Sequence, residues 1–174
     1  MAPPARRTAA SGGRGDRPGK RKDIHERALG LLAVRQRSRR ELERRLVQAG
    51  FEPDAVRTEL ERLEQVGLID DAAFAAAVVE SRMGHRGESR RAVGMKLQQA
   101  GVDREVATTA LDEAPDGEQE RADRLAETRA GRVAELDPAT GFARLSGFLM
   151  RKGYAPGVAR QAARRALGVE GIEG

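Results

Sequence analysis

The sequence predicts an all-α fold: an elongated array of three tandem three-helix repeats, about nine helices, behind a disordered basic N-terminal tail. Three observations predict it. Ala, Leu, Arg and Glu dominate, and all are strong helix formers. Aromatic residues, which sheets favour, are confined to Phe51, Phe74, Phe142, Phe148 and Tyr154. A pattern closed by Gly50, Gly101 and Gly153 recurs at spacings of 51 and 52 residues, in the range that marks repeat architectures.

The repeated unit is a middle helix. Ser38-Arg39-Arg40 leads through Leu42 and Leu46 to Gly50-Phe51. Ser89-Arg90-Arg91 leads through Val93 and Leu97 to Gly101-Val102. A weaker copy passes Leu145 and Leu149 to Gly153-Tyr154. Apolar residues eight and four before each glycine share one helical face. Ser38 with Glu41 reads as a capping box and Ser89 as a plain N-cap. Each glycine suits the left-handed residue of a Schellman ending. That ending brings the next residue onto the one four before the glycine: Phe51 on Leu46, Val102 on Leu97, Tyr154 on Leu149.

One helix precedes and one follows each middle helix. The first runs from about Asp23 to Arg37, with Ile24, Ala28, Leu31 and Leu32 inward. Pro53 opens the third, which carries Val56, Leu60 and Leu63 and stops near Gly67. Asp70 caps the next, with Phe74, Ala77 and Val78 inward; another follows Asp103, with Val106, Ala110 and Leu111. Residues 112–117 read as a linker, and a longer helix spans about Glu118 to Leu136. Asp137-Pro138 breaks it, and Pro156 starts a last helix that stops at Gly168. The expected divisions are a tail over 1–22, repeats over 23–69, 70–115 and 116–168, and a C-terminal tail over 169–174.

The net charge of +5 is unevenly spread. Residues 1–22 hold seven Lys and Arg against Asp16 alone, while the rest holds 25 basic and 26 acidic residues. The tail has too little to bury to offset the entropy of ordering. It reads as a nucleic-acid contact or as a solubilising extension. The absence of cysteine excludes disulfides and zinc-thiolate sites. No apolar run reaches membrane-spanning length, and no apolar segment follows the basic start as in a secretory signal. A cytoplasmic monomer with no membrane association is expected.

Catalytic constellations fail one by one. His25-Glu26 begins like a zinc-protease motif, but Leu29 stands where the second histidine belongs. His25 and His85 lie sixty residues apart, and His85 reads as a loop residue. Gly13-Arg14-Gly15 and Gly19-Lys20 lack the spacing and the hydroxyl of a phosphate loop. Asp70-Asp71 more simply complements a helix dipole than serves acid–base work. The chain reads as a binding protein, not an enzyme, with no cofactor and no metal.

The basic residues remain. Arg35, Arg37, Arg39, Arg40, Arg44 and Arg45 cluster in the first repeat; Arg86, Arg90, Arg91 and Lys96 recur in the second. Arg39 matches Arg90, Arg40 matches Arg91, and Arg45 matches Lys96; in the third repeat the charge moves to Arg144, Arg151 and Lys152. Charge kept in register along an array suits a polymeric or phosphate-rich partner. A solvated face, partly an arginine coding bias, is the plainer account. The candidate partner-binding residues are Arg39, Arg40, Arg44, Arg45, Arg86, Arg90, Arg91, Lys96, Arg151 and Lys152.

The stretch Val66-Gly67-Leu68-Ile69-Asp70-Asp71-Ala72-Ala73-Phe74-Ala75 resembles a signature of the RecX regulators. Ser81-Arg82, Gly87, the Ser-Arg-Arg start and Leu97 to Val102 follow in the family's order, and the likeness spans roughly residues 24–168. The basic tail is extra, and Gly94 is a poor helix former. The resemblance implies a curved array of three-helix units lying in the groove of the RecA–single-stranded-DNA filament. It further implies lowered ATP hydrolysis, strand exchange and LexA cleavage, and so a part in recombinational repair and the SOS response. A competing class is an array that binds single- or double-stranded DNA directly, since paired short helices resemble helix-turn-helix units.

Overall fold

In a computed structural model the described residues are 23–114 and 117–169. The expected tail over 1–22 lies outside them, as do residues 115–116 of the linker and 170–174 of the C-terminal tail. Nine α-helices and one π-helical segment occur among the described residues, with no strand. Repeat 1 holds α1 (Ile24–Val34), α2 (Arg39–Gln48) and α3 (Pro53–Gln65). Repeat 2 holds α4 (Asp71–Val79), the π-helical Glu80–His85, α5 (Arg90–Ala100) and α6 (Arg104–Asp112). Repeat 3 holds α7 (Glu118–Ala130), α8 (Pro138–Arg151) and α9 (Pro156–Leu167).

Each repeat has its own core. Leu42 and Leu46 are buried with Ala28, Val56, Leu60 and Leu63 in the first. Val93 and Leu97 are buried with Phe74, Ala107 and Leu111 in the second, and Leu145 and Leu149 with Phe142, Tyr154 and three alanines of α9 in the third. The middle helices end as their sequences require. The glycine N–H donates at 2.9 Å to the carbonyls of Val47, Gln98 and Met150 respectively. The next N–H donates to Leu46, Leu97 and Leu149 at 3.3, 3.1 and 3.3 Å. Gly50, Gly101 and Gly153 take φ of 92°, 80° and 95°, and the paired 6→1 and 5→2 bonds make each a Schellman ending.

The repeats join through these same helices, end to end. Ser38 caps α2 by accepting from the Glu41 N–H at 3.2 Å, and its hydroxyl donates to the Ala100 carbonyl at the end of α5. Ser89 caps α5 by accepting from the Ala92 N–H at 3.2 Å, and its own N–H donates to the Lys152 carbonyl at the end of α8 at 3.0 Å. A dipole-negative helix end thus meets a dipole-positive one at both joints. Both serines are fully buried. The contact is close: a Cβ on Gly101 would lie 2.6 Å from the Arg40 Cβ, and one on Gly153 would lie 2.5 Å from the Ser89 Oγ. Gly50 closes the first middle helix, and none of the described residues comes within 4 Å of that position.

Several expectations need correction. Helix α1 stops at Val34, three residues early, because Arg37 turns back and its Nε donates to the Leu31 carbonyl at 3.0 Å. Helix α7 stops at Ala130, not Leu136. Residues 131–136 instead turn back over the start of α8, where the Val133 carbonyl faces Gly141. The capping box at Ser38 is half made, since Glu41 turns away to bind arginines. His85 sits in the last turn of the π-helical segment, not in a loop. The wider turn extends the first helix of repeat 2 without marking itself in residue type.

Alanine at Gly50 should cost about 1 kcal/mol through its left-handed backbone. Alanine at Gly153 should cost more, because the added methyl also meets Ser89 and Ala92. Urea denaturation followed by circular dichroism checks this; equal losses would contradict the joint.

Candidate partner interface

The sequence-selected cations divide into two sets. The first is tied into the fold. Arg39 donates its N–H to Asp71 Oδ1 at 2.8 Å and places its Nε 3.0 Å from Glu64. Its counterpart Arg90 reaches the Leu111 carbonyl at 2.7 Å and Asp112 at 2.5 Å. Each anchors the start of a middle helix to the end of the third helix in its repeat. Arg45 lies 2.9 Å from Glu41, and Lys96 lies 3.1 Å from Glu88. Lys152 donates to the Arg86 carbonyl at 2.7 Å across the second joint and sits 5.8 Å from the Phe148 ring centre. Arg37, in the same sequence cluster, is buried and bonded to Glu41. These residues hold helices and joints together.

The second set is Arg40, Arg44, Arg86, Arg91 and Arg151, all exposed. No ion pair to these side chains occurs among the described residues. Arg40 lays its stem over Gly101 and so extends from one middle helix onto the next. Arg44, Arg91 and Arg151 lie on the sides of α2, α5 and α8 that face away from the cores. Those sides also carry Val47, Met95 and Met150, which are 41%, 51% and 41% exposed. Reasoning from charge passed over these three. Plotting each helix opposite its buried leucines finds them.

The histidines take no ligand-like arrangement. His25 Nδ1 lies 2.6 Å from Glu59, tying α1 to α3. No group of three metal-ligating His, Asp or Glu side chains occurs among the described residues. No described helix is long and apolar enough to cross a membrane.

Models of the first, second and third three-helix domains of RecX match residues 25–63, 70–111 and 116–163. The chain belongs to the RecX family. It is 39% identical over 153 residues to the regulatory protein RecX of Amycolatopsis mediterranei, covering 87% of each chain. It is 37% identical over 155 residues to that of Mycobacterium avium, covering 88% of this chain and 90% of the relative. The RecX crystal structure from Lactobacillus salivarius shares the fold with a TM-score of 0.69 at 22% identity, over 84% of this chain and 96% of that one. The likeness read from Val66 to Ala75 and from the repeat period is thereby borne out. Both relatives are named regulatory proteins.

In this RecX chain the first joint is set in charge as well as shape. Glu41 is 6% exposed and receives Arg35 at 2.6 Å, Arg45 at 2.9 Å and Arg37 on one oxygen. Burial pushes its pKa up, but the bonds from Arg45, Arg35 and Arg37 outweigh it and hold the carboxyl below the usual glutamate range. Glu88 behaves alike: burial raises its pKa, and the bonds from Arg82 and Lys96 outweigh that and lower it. A carboxyl held low in the folded state stabilises the fold above its unfolded pKa and loses that contribution as pH falls through the folded one. Stability should therefore drop on acidification below about pH 4, and Glu41→Gln should flatten that drop. Glu41→Gln should also cost on the order of 3 kcal/mol at neutral pH, whereas Arg44→Ala should stay within about 0.5 kcal/mol. Denaturation midpoints across pH check both; an unaltered acid limb in Glu41→Gln would contradict the assignment.

Proposed function

We propose that this chain restrains RecA recombinase. It binds in the groove of the RecA–single-stranded-DNA filament and lowers ATP hydrolysis, strand exchange and LexA cleavage. It acts by occupancy, as a cytoplasmic monomer without chemistry of its own, and so bears on recombinational repair and the SOS response. The observation that carries this reading, beside membership of a family of regulatory proteins, is the set of exposed arginines on successive middle helices that form no ion pair among the described residues. A filament repeats its surface along its axis. An array that repeats its cations meets several protomers at once, and weak contacts then combine by avidity.

Free arginines would also suit a phosphate backbone, so direct DNA binding is the second reading. Titration into a RecA ATPase assay separates the two. Inhibition should appear with the chain from which residues 1–22 are deleted. Arg44→Glu with Arg91→Glu should raise the concentration for half-inhibition on the order of tenfold, with helical content unchanged. Unaltered inhibition by that double variant would remove these arginines from the site. Tight, steeply salt-dependent binding to DNA alone, with no effect on RecA, would favour the second reading.

A further inference from the structure

We propose that the outward face of the middle helices docks a protein surface, not a nucleic-acid backbone, and that Val47, Met95 and Met150 are its apolar anchors. The proposal rests on the reading above and adds the chemistry of the face that is met.

On each middle helix the buried leucines or valine lie four and eight residues before the closing glycine. Positions two, three, six and ten before it fall on the opposite side, at 100° per residue, as does position nine, where Glu41 is buried, Ala92 half-buried and Arg144 alone exposed. Positions two, three, six and ten supply twelve residues over the three helices, and all but Gly147 are exposed. None is Asp, Glu or Lys. Four are arginine: Arg40, Arg44, Arg91 and Arg151. Three are the large apolar residues Val47, Met95 and Met150.

This composition decides between partner classes. A merely solvated helix face in so highly charged a chain would mix Glu and Lys. On α2 and α5 the remaining cations do meet carboxylates, at the positions five and eleven before the glycine. A phosphate backbone rewards cations and gives nothing to exposed methionine. Protein interfaces are enriched in Met and Arg and depleted in Lys, Glu and Asp, which is the balance found on this strip. Its charge calls for carboxylates on the partner, set around apolar contacts.

The strip also changes along the array. Repeat 1 contributes two of its arginines and one valine. Repeat 3 contributes Ala143, Gly147 and Met150 beside one arginine. The partner face is therefore most acidic opposite α2, and apolar and closely approached opposite α8. The same register positions, Ser38 with Ala100 and Ser89 with Lys152, meet at both joints, so each strip follows the last by a similar step.

Val47→Gln with Met95→Gln tests this in the full chain. Both residues are exposed, and the change leaves charge intact and does not lower helix propensity. Binding is measured to RecA–single-stranded-DNA filaments and to single-stranded DNA alone, each over a range of salt. The expected result is a loss of filament affinity on the order of tenfold, with the salt dependence and thermal melt of the wild type. Wild-type filament affinity in this variant overturns the proposal. So does wild-type binding to bare DNA as tight as to filaments and indifferent to the two substitutions. A wild-type chain that leaves filaments unbound overturns the functional reading itself.

Discussion

The end-to-end contact between successive middle helices is the constraint on which the rest of the molecule depends. It asks one short segment to do two things. The serine must cap its own helix and also bond the helix beyond it. The glycine must take a left-handed backbone and also leave room for a neighbouring side chain or hydroxyl. A cap alone contributes about 1 kcal/mol, and a glycine ending a similar amount. Sharing them between repeats couples helix ends to array geometry. Three small cores then act as one object although each buries little by itself.

The distribution of charge follows from that constraint. Where two helix ends meet, water is excluded, and ionic groups near the contact must be matched. Glu41, enclosed by three arginines beside the first joint, and Glu88, enclosed by Arg82 and Lys96 beside the second, meet this demand. Cations drawn into the matching are unavailable to any partner. Those left over point away from the cores, and the same geometry that removed their neighbours placed them on one face of each helix.

Much of the fold was legible in residue spacing. The apolar pairs Phe51–Leu46, Val102–Leu97 and Tyr154–Leu149 specify a backbone conformation, and that conformation is local. The division of the arginines was not legible. Arg39 and Arg40 are adjacent and identical in type, and only a carboxylate from another helix, Glu64 on α3, separates the roles of their side chains. The π-helical turn at Glu80–His85 was missed because its widening has no residue signature. The second demand on Gly101 and Gly153 was hidden for the same reason: the atoms that crowd them lie some sixty residues away.

The two ends of the array are unlike. At the start of α8 the backbone of Val133 lies against Gly141, while the ending at Gly50 stands clear of the described residues. Addition of a fourth unit is therefore directional. A duplicated module fused ahead of α1 would find half of a joint already built, whereas one appended behind α9 would first have to displace the 131–136 turn. Lengthening such a protein, by evolution or by construction, is easier from its amino-terminal side.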